Sequence, residues 1–338
     1  MPDYSYIAQH IDRVINKFGK NLEIEHCEVK IDEYSFNSPQ ALSYGIQLPK
    51  QYLDFINLNC NLIFCNQNIF ENVGNSKNEK IEKGNFAVND NTLTIDQFIY
   101  LNKSLTDLLE EVPLDLKRRN YAVMLRHMIS SFIVYHELGH VRQLNSNLRT
   151  SEIIIEYGSQ TDDSLKWEEQ AMEVDADVFA INWFGNDLFQ NYNKFTPNAA
   201  FYTKEEILLL AIYSIFLFFY LSNTGEEINN PQKIHPHPMI RFEVVINYLQ
   251  EIALTNELVK DTQQFAKLIQ KVLHELDKTL TCHFNLSDNN PYFGRFYDPV
   301  IPYVKSELQK YIQKDQTLNF NRPYSLVNGE KKGSDNLF

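Results

Sequence analysis

Apolar positions concentrate in three stretches of this chain. From Lys117 to Leu144 the sequence KRRNYAVMLRHMISSFIVYHELGHVRQL is helical in length and apolar on most faces. That pattern predicts a helix enclosed by its neighbours on nearly every side. A second helix is predicted from Asp163 to Phe184, with Asp162 and Asp163 near its N-terminus and Gly185 just past its end. The third stretch, ILLLAIYSIFLFFYL from Ile207 to Leu221, holds fifteen residues without a charge. A membrane span needs about 20 apolar residues, and runs of about 10–14 are usually core helices, so this segment falls between the two classes. A buried helix is the expectation and membrane contact the alternative. Thr203 and Glu206 form a capping-box pattern just ahead of the run, which suits a helix start in a soluble protein.

The remaining sequence is less regular. Residues 1–112 combine a polar first helix with short β-like pieces: LEIEHCEVKI (Leu22 to Ile31) alternates at period two, and NLIFC (Asn61 to Cys65) is a short apolar run. Glu71 to Asn85 is polar and rich in Asn and Gly, a loop pattern. A short strand is expected at EIIIEY (Glu152 to Tyr157), between the first two long helices. Helical sequence resumes after Pro231, Pro236 and Pro238 and continues to Leu280. The expected organisation is a strand-containing part (1–112), a helical core (113–284) and an irregular extension (285–338), together a mostly α, α+β fold.

Composition narrows the function classes. The chain has 338 residues and a net charge of -13, from 44 acidic and 31 basic residues. That balance repels phosphate backbones, so no nucleic acid is expected as partner. The four cysteines, Cys27, Cys60, Cys65 and Cys282, form no CxxC pair of the kind a thiolate metal site or redox motif uses. The first twenty residues lack a signal-peptide run, so the expected compartment is the cytoplasm.

The chemistry lies in the first two long helices. His136-Glu137-Leu138-Gly139-His140 sets two imidazoles four residues apart, on one helical face, where both can reach one metal ion. Glu137 follows the first ligand and is placed to take a proton from water. Gly139 permits close packing against a neighbouring helix. Catalytic zinc takes three protein ligands and keeps one open position. Glu173, on the second helix, is the expected third ligand and Asp177, one turn on, the alternative; small Ala176 and Ala180 beside them favour close helix approach. A solvated acidic face, shared with Glu168 and Glu169, is the competing reading. The turn His235-Pro236-His237-Pro238 precedes another helix, and His235 is a candidate donor to a developing oxyanion. Arg241 is placed to pair with Asp177 and hold the acidic helix. His127 is expected to be a core or supporting histidine rather than a ligand.

HELGH, EVDADVFA and HPHPMIR, in that order, resemble the gluzincin pattern of the CAAX-prenyl-protease and HtpX families. The doubled HPHP, the start and the size are more similar to the phage-exclusion peptidase Lit family. The resemblance covers about residues 120–250. It implies a zincin-like core with Zn2+ on His136, His140 and Glu173, Glu137 and His235 as catalytic residues, and Asp177 and Arg241 behind the ligands. It also implies a latent cytoplasmic peptidase that cuts the translation factor EF-Tu when a phage-derived activator is present. The multiple membrane spans of the CAAX-type enzymes have no counterpart here. Two other functions compete: a regulatory peptidase cleaving a transcriptional repressor, and an inactive metal-binding interaction protein.

Overall fold

The computed structural model describes residues 4–22, 24, 27–33, 39–42, 44–79, 112–145, 163–190, 202–221 and 238–283. These residues are mostly helical, with one small sheet. Helix α1 (Ser5–Leu22) leads to β1 (Glu28–Asp32), β2 (Gln40–Leu42), β3 (Gly45–Pro49) and α2 (Lys50–Cys65). Then follow α3 (Leu116–Asn145), α4 (Asp163–Gln190), α5 (Lys204–Leu221), α6 (Pro238–Thr255) and α7 (Thr262–Lys278). The strands lie in the order β1-β3-β2, with β1 parallel and β2 antiparallel to β3.

Helix α3 is the centre of the molecule: α1, α2, α4, α5, β2 and β3 all pack on it. One continuous apolar core runs from Tyr4 and from Ile11 in α1, through Phe55 and Phe64 of α2 and Phe132 of α3, to Leu276 of α7. The uncharged run becomes α5. Every residue from Ile207 to Tyr220 is buried except the half-buried Leu209, against α3, α6 and α7. Its capping box forms as expected, with Glu206 N–H donating to Thr203 Oγ1 (3.1 Å) and Thr203 N–H to Glu206 Oε2 (2.8 Å). No helix among the described residues is long and apolar enough to cross a membrane.

Three local expectations change. NLIFC is not a strand but the last turn and a half of α2, buried throughout. A five-residue apolar run has no measurable period, and length alone cannot separate strand from buried helix. The alternating segment from Leu22 forms a strand only from Glu28. Gly185 does not end α4, which continues to Gln190. A Cβ at 185 would stand 2.9 Å from Ile252 Cδ1, so this glycine makes room for α6 instead of capping its own helix. The expected strand at Glu152–Tyr157 and the extension 285–338 lie outside the described residues.

Arg118, fully buried at the start of α3, organises the loop that follows α2. Its guanidinium donates to the carbonyls of Phe64, Asn66, Ile69, Phe70 and Val73 at 2.7–3.1 Å. Glu79 lies 3.7 Å from its Nε and accepts from the backbone N–H groups of Leu114 and Asp115. Asp115 in turn caps α3, accepting from Arg118 N–H at 3.0 Å.

Candidate metal centre

The contact between α3 and α4 builds the site. A Cβ on Gly139 would lie 2.9 Å from the Cα of Ala176, so the two helices meet backbone against backbone at this level. Any larger pair would hold them apart. At that separation His136 and His140 on α3 and Glu173 on α4 point into one buried space, each no more than 5% exposed. The two Nε2 atoms are 3.1 Å apart, and Glu173 places Oε1 3.2 Å from His140 Nε2 and Oε2 3.4 Å from His136 Nε2. These three side chains form a group able to hold a metal ion.

The other ring nitrogens explain why a cation belongs there. His136 Nδ1 lies 2.9 Å from Asp177 Oδ1, and His140 Nδ1 lies 2.9 Å from Gln143 Oε1. Both neighbours are acceptors, so each Nδ1 carries a hydrogen and each neutral ring turns a bare Nε2 lone pair inward. Two lone pairs and a carboxylate at this range repel unless a positive charge stands among them. Without metal, a proton fills that role. Burial pushes the His136 imidazole down, but the Asp177 and Glu173 carboxylates outweigh it and hold the group up at about 9.

Asp177 has its own counter-charge. Arg241 grips it with two hydrogen bonds, Nε to Oδ2 at 2.6 Å and Nη2 to Oδ1 at 2.8 Å. Burial would raise the Asp177 carboxyl, and the Arg241 guanidinium overrides that and keeps it low. Arg241 also lies 4.9 Å over the Phe219 ring of α5 and 3.8 Å from Glu173 Oε2. The acidic stripe is therefore not a solvated face: Glu173, Asp175 and Asp177 are at most 2% exposed. Asp177 stands behind His136, one step from the cluster's centre.

No family model, curated protein or solved structure matches this chain. The geometry of these residues thus carries the site by itself.

Of the residues singled out in sequence, His136, His140, Glu173, Asp177 and Arg241 meet around this one space, and Glu137, next to His136 in α3, is 7% exposed and within electrostatic reach of Arg241. His235 lies outside the described residues. His127 is not in the metal-holding group; burial, with Arg126 next to it, pushes its imidazole down to about 4. Two participants escaped sequence reasoning, Gln143 and Asp175. Gln143 sits three residues after His140, on the ligand face, and that spacing was the available signal.

Proposed function

We propose that this chain is a zinc-dependent endopeptidase of the HExxH type that cleaves an intracellular protein. The observation that carries the proposal is the convergence of two imidazoles and one carboxylate from neighbouring helices, with buried Glu137 following His136 in the chain. A His-His-Glu donor set suits zinc, which takes three protein ligands at catalytic sites and leaves one position open. His136, His140 and Glu173 would hold the ion, and when bound it supplies a Lewis acid that polarises a carbonyl and brings the pKa of water to about 7. Glu137 accepts the proton from the attacking water and returns it to the departing amine. Asp177, fixed by Arg241, orients His136 and tolerates positive charge on it. His235 is assigned, from the sequence motif, to donate a hydrogen bond to the developing oxyanion. Among the described residues β1 and β2 are the outer strands of the sheet and are the proposed edges for an extended substrate, and β2 packs on the helix that carries the motif.

The motif resemblance directs the substrate search. A translation factor such as EF-Tu is the first candidate, a phage-derived peptide the first trigger, and the cytoplasm the compartment. Comparing the proteomes of cells that express the wild type or Glu137→Gln, each together with the phage-derived peptide, tests the proposal. Wild type should yield a discrete fragment of one host protein and stop growth, while Glu137→Gln should do neither and keep its metal. Equal toxicity of the two proteins, with no fragment from either, would replace the peptidase reading with a binding function.

A further inference from the structure

Each histidine of the centre is backed by a chain of buried groups, and the two chains differ. Behind His136 stand a carboxylate and then a guanidinium, Asp177 and Arg241. Behind His140 stands a neutral amide. Gln143 is fully buried, with Oε1 2.9 Å from His140 Nδ1. Its Nε2 donates to the carbonyl of Met172 at 2.9 Å and to Asp175 Oδ2 at 3.0 Å. Arg142 Nη1 lies 3.8 Å from that same Asp175 oxygen.

The amide can face only one way. Its two N–H groups meet a carbonyl and a carboxylate, both acceptors, so its oxygen must face the imidazole. Hence His140 carries its hydrogen on Nδ1, and Nε2 is the nitrogen that faces the shared space. The same side chain reaches across the helix contact. Met172 immediately precedes Glu173, so one amide ties the ring of a ligand on α3 to the backbone that positions the ligand on α4.

We infer that Gln143 is a positioning residue for the metal centre, fixing the tautomer and plane of His140 while setting the level of Glu173. The inference rests on the metal-site reading given above. Its effect should appear in metal affinity, apart from any activity, because such supporting partners typically contribute about 10–100-fold to metal binding.

The test uses the full chain stripped of metal and titrated with zinc against a chromophoric chelator, with the visible spectrum of the cobalt-substituted protein as a second readout. Gln143→Met keeps the volume and removes both hydrogen-bonding functions, and should weaken zinc binding by about 10–100-fold and alter the cobalt bands. The double variant Gln143→Glu with Asp175→Asn returns an acceptor to His140 and exchanges donor for acceptor between 143 and 175 at constant charge. It should restore the cobalt bands and recover part of the affinity lost in Gln143→Met, short of the wild-type value because the Met172 carbonyl regains no donor. If Gln143→Met binds zinc as tightly as wild type, the inference is wrong. It is equally wrong if both variants lose affinity only in step with a lower melting temperature of the metal-free protein, since that marks a packing role. Should Gln143→Met fail to fold, the double variant decides alone: affinity within about tenfold of wild type supports the inference, and binding about 100-fold weaker overturns it. A wild type that binds zinc no better than His136→Ala would remove the metal reading itself, a result distinct from all of these.

Discussion

At the scale of single residues, the cluster at the centre demands positive charge, and this has a consequence for pH. A group whose pKa is raised on folding, as His136 is, stabilises the folded metal-free chain fully below its ordinary value of 6.5. That stabilisation disappears as pH rises through about 9. Metal must displace the same proton, so zinc binding between those values should release it. Calorimetry in two buffers of different ionisation enthalpy should show more protons released per zinc at pH 7.5 than ionisation of the bound water alone supplies, with that excess gone above pH 9.5. No such excess at pH 7.5 would show that His136 is already neutral. The HExxH spacing was legible in sequence because a four-residue step fixes two side chains on one helix face whatever surrounds them. Gln143 and Asp175 were not, because their roles arise only from how α3 and α4 are placed against each other.

At the scale of elements, the closeness of α3 and α4 is set by one missing methyl group. Gly139→Ala would push against the Ala176 backbone, which cannot turn aside, so the helices must separate. A loss of about 1–3 kcal/mol of stability is expected, against a gain of at most about 1 kcal/mol in helix propensity. Zinc affinity should fall as well, since Glu173 recedes with α4. Gly185→Ala is the control. Its methyl would meet the side chain of Ile252, Cδ1 at 2.9 Å and Cγ2 at 3.2 Å, rather than backbone, so the loss of stability should be smaller than at Gly139, with zinc affinity unchanged. Denaturant melts and chelator titrations of both variants check the contrast. The long helices were readable for a related reason: α3 was expected over 117–144 and spans Leu116–Asn145, because thirty residues give the pattern room to declare itself. Short pieces did not. The three-residue β2 and five-residue β3 are too brief to show a period, and the apolar end of α2 passed for a strand.

At the scale of the whole molecule, the N-terminal part is locked to α3 through Arg118. Arg118→Met would leave five backbone carbonyls and Glu79 without their cation, and removal of one partner from a buried pair costs about 3–5 kcal/mol. Hydrogen exchange should then quicken through residues 66–79 well before α3 loosens; uniform quickening across the molecule would mean the loop has no independent stability to lose. The bidentate grip of Arg241 on Asp177 carries a different implication, one about time. Asp177 waits for a partner that lies 64 positions further along the chain. During synthesis every residue of the metal-holding group leaves the ribosome first, while an isolated buried carboxylate would be prohibitively expensive to hold among them. The nascent chain should therefore stay unarmed until α6 emerges. Ribosome-bound chains halted before Arg241 should be cut readily by added protease across α4, and chains halted well beyond it should resist. Resistance in the shorter chains would mean that the acidic helix can close without its arginine. Protection that arrives only with α6 would make translation order the safety interval of the proposed peptidase, whose site is finished last.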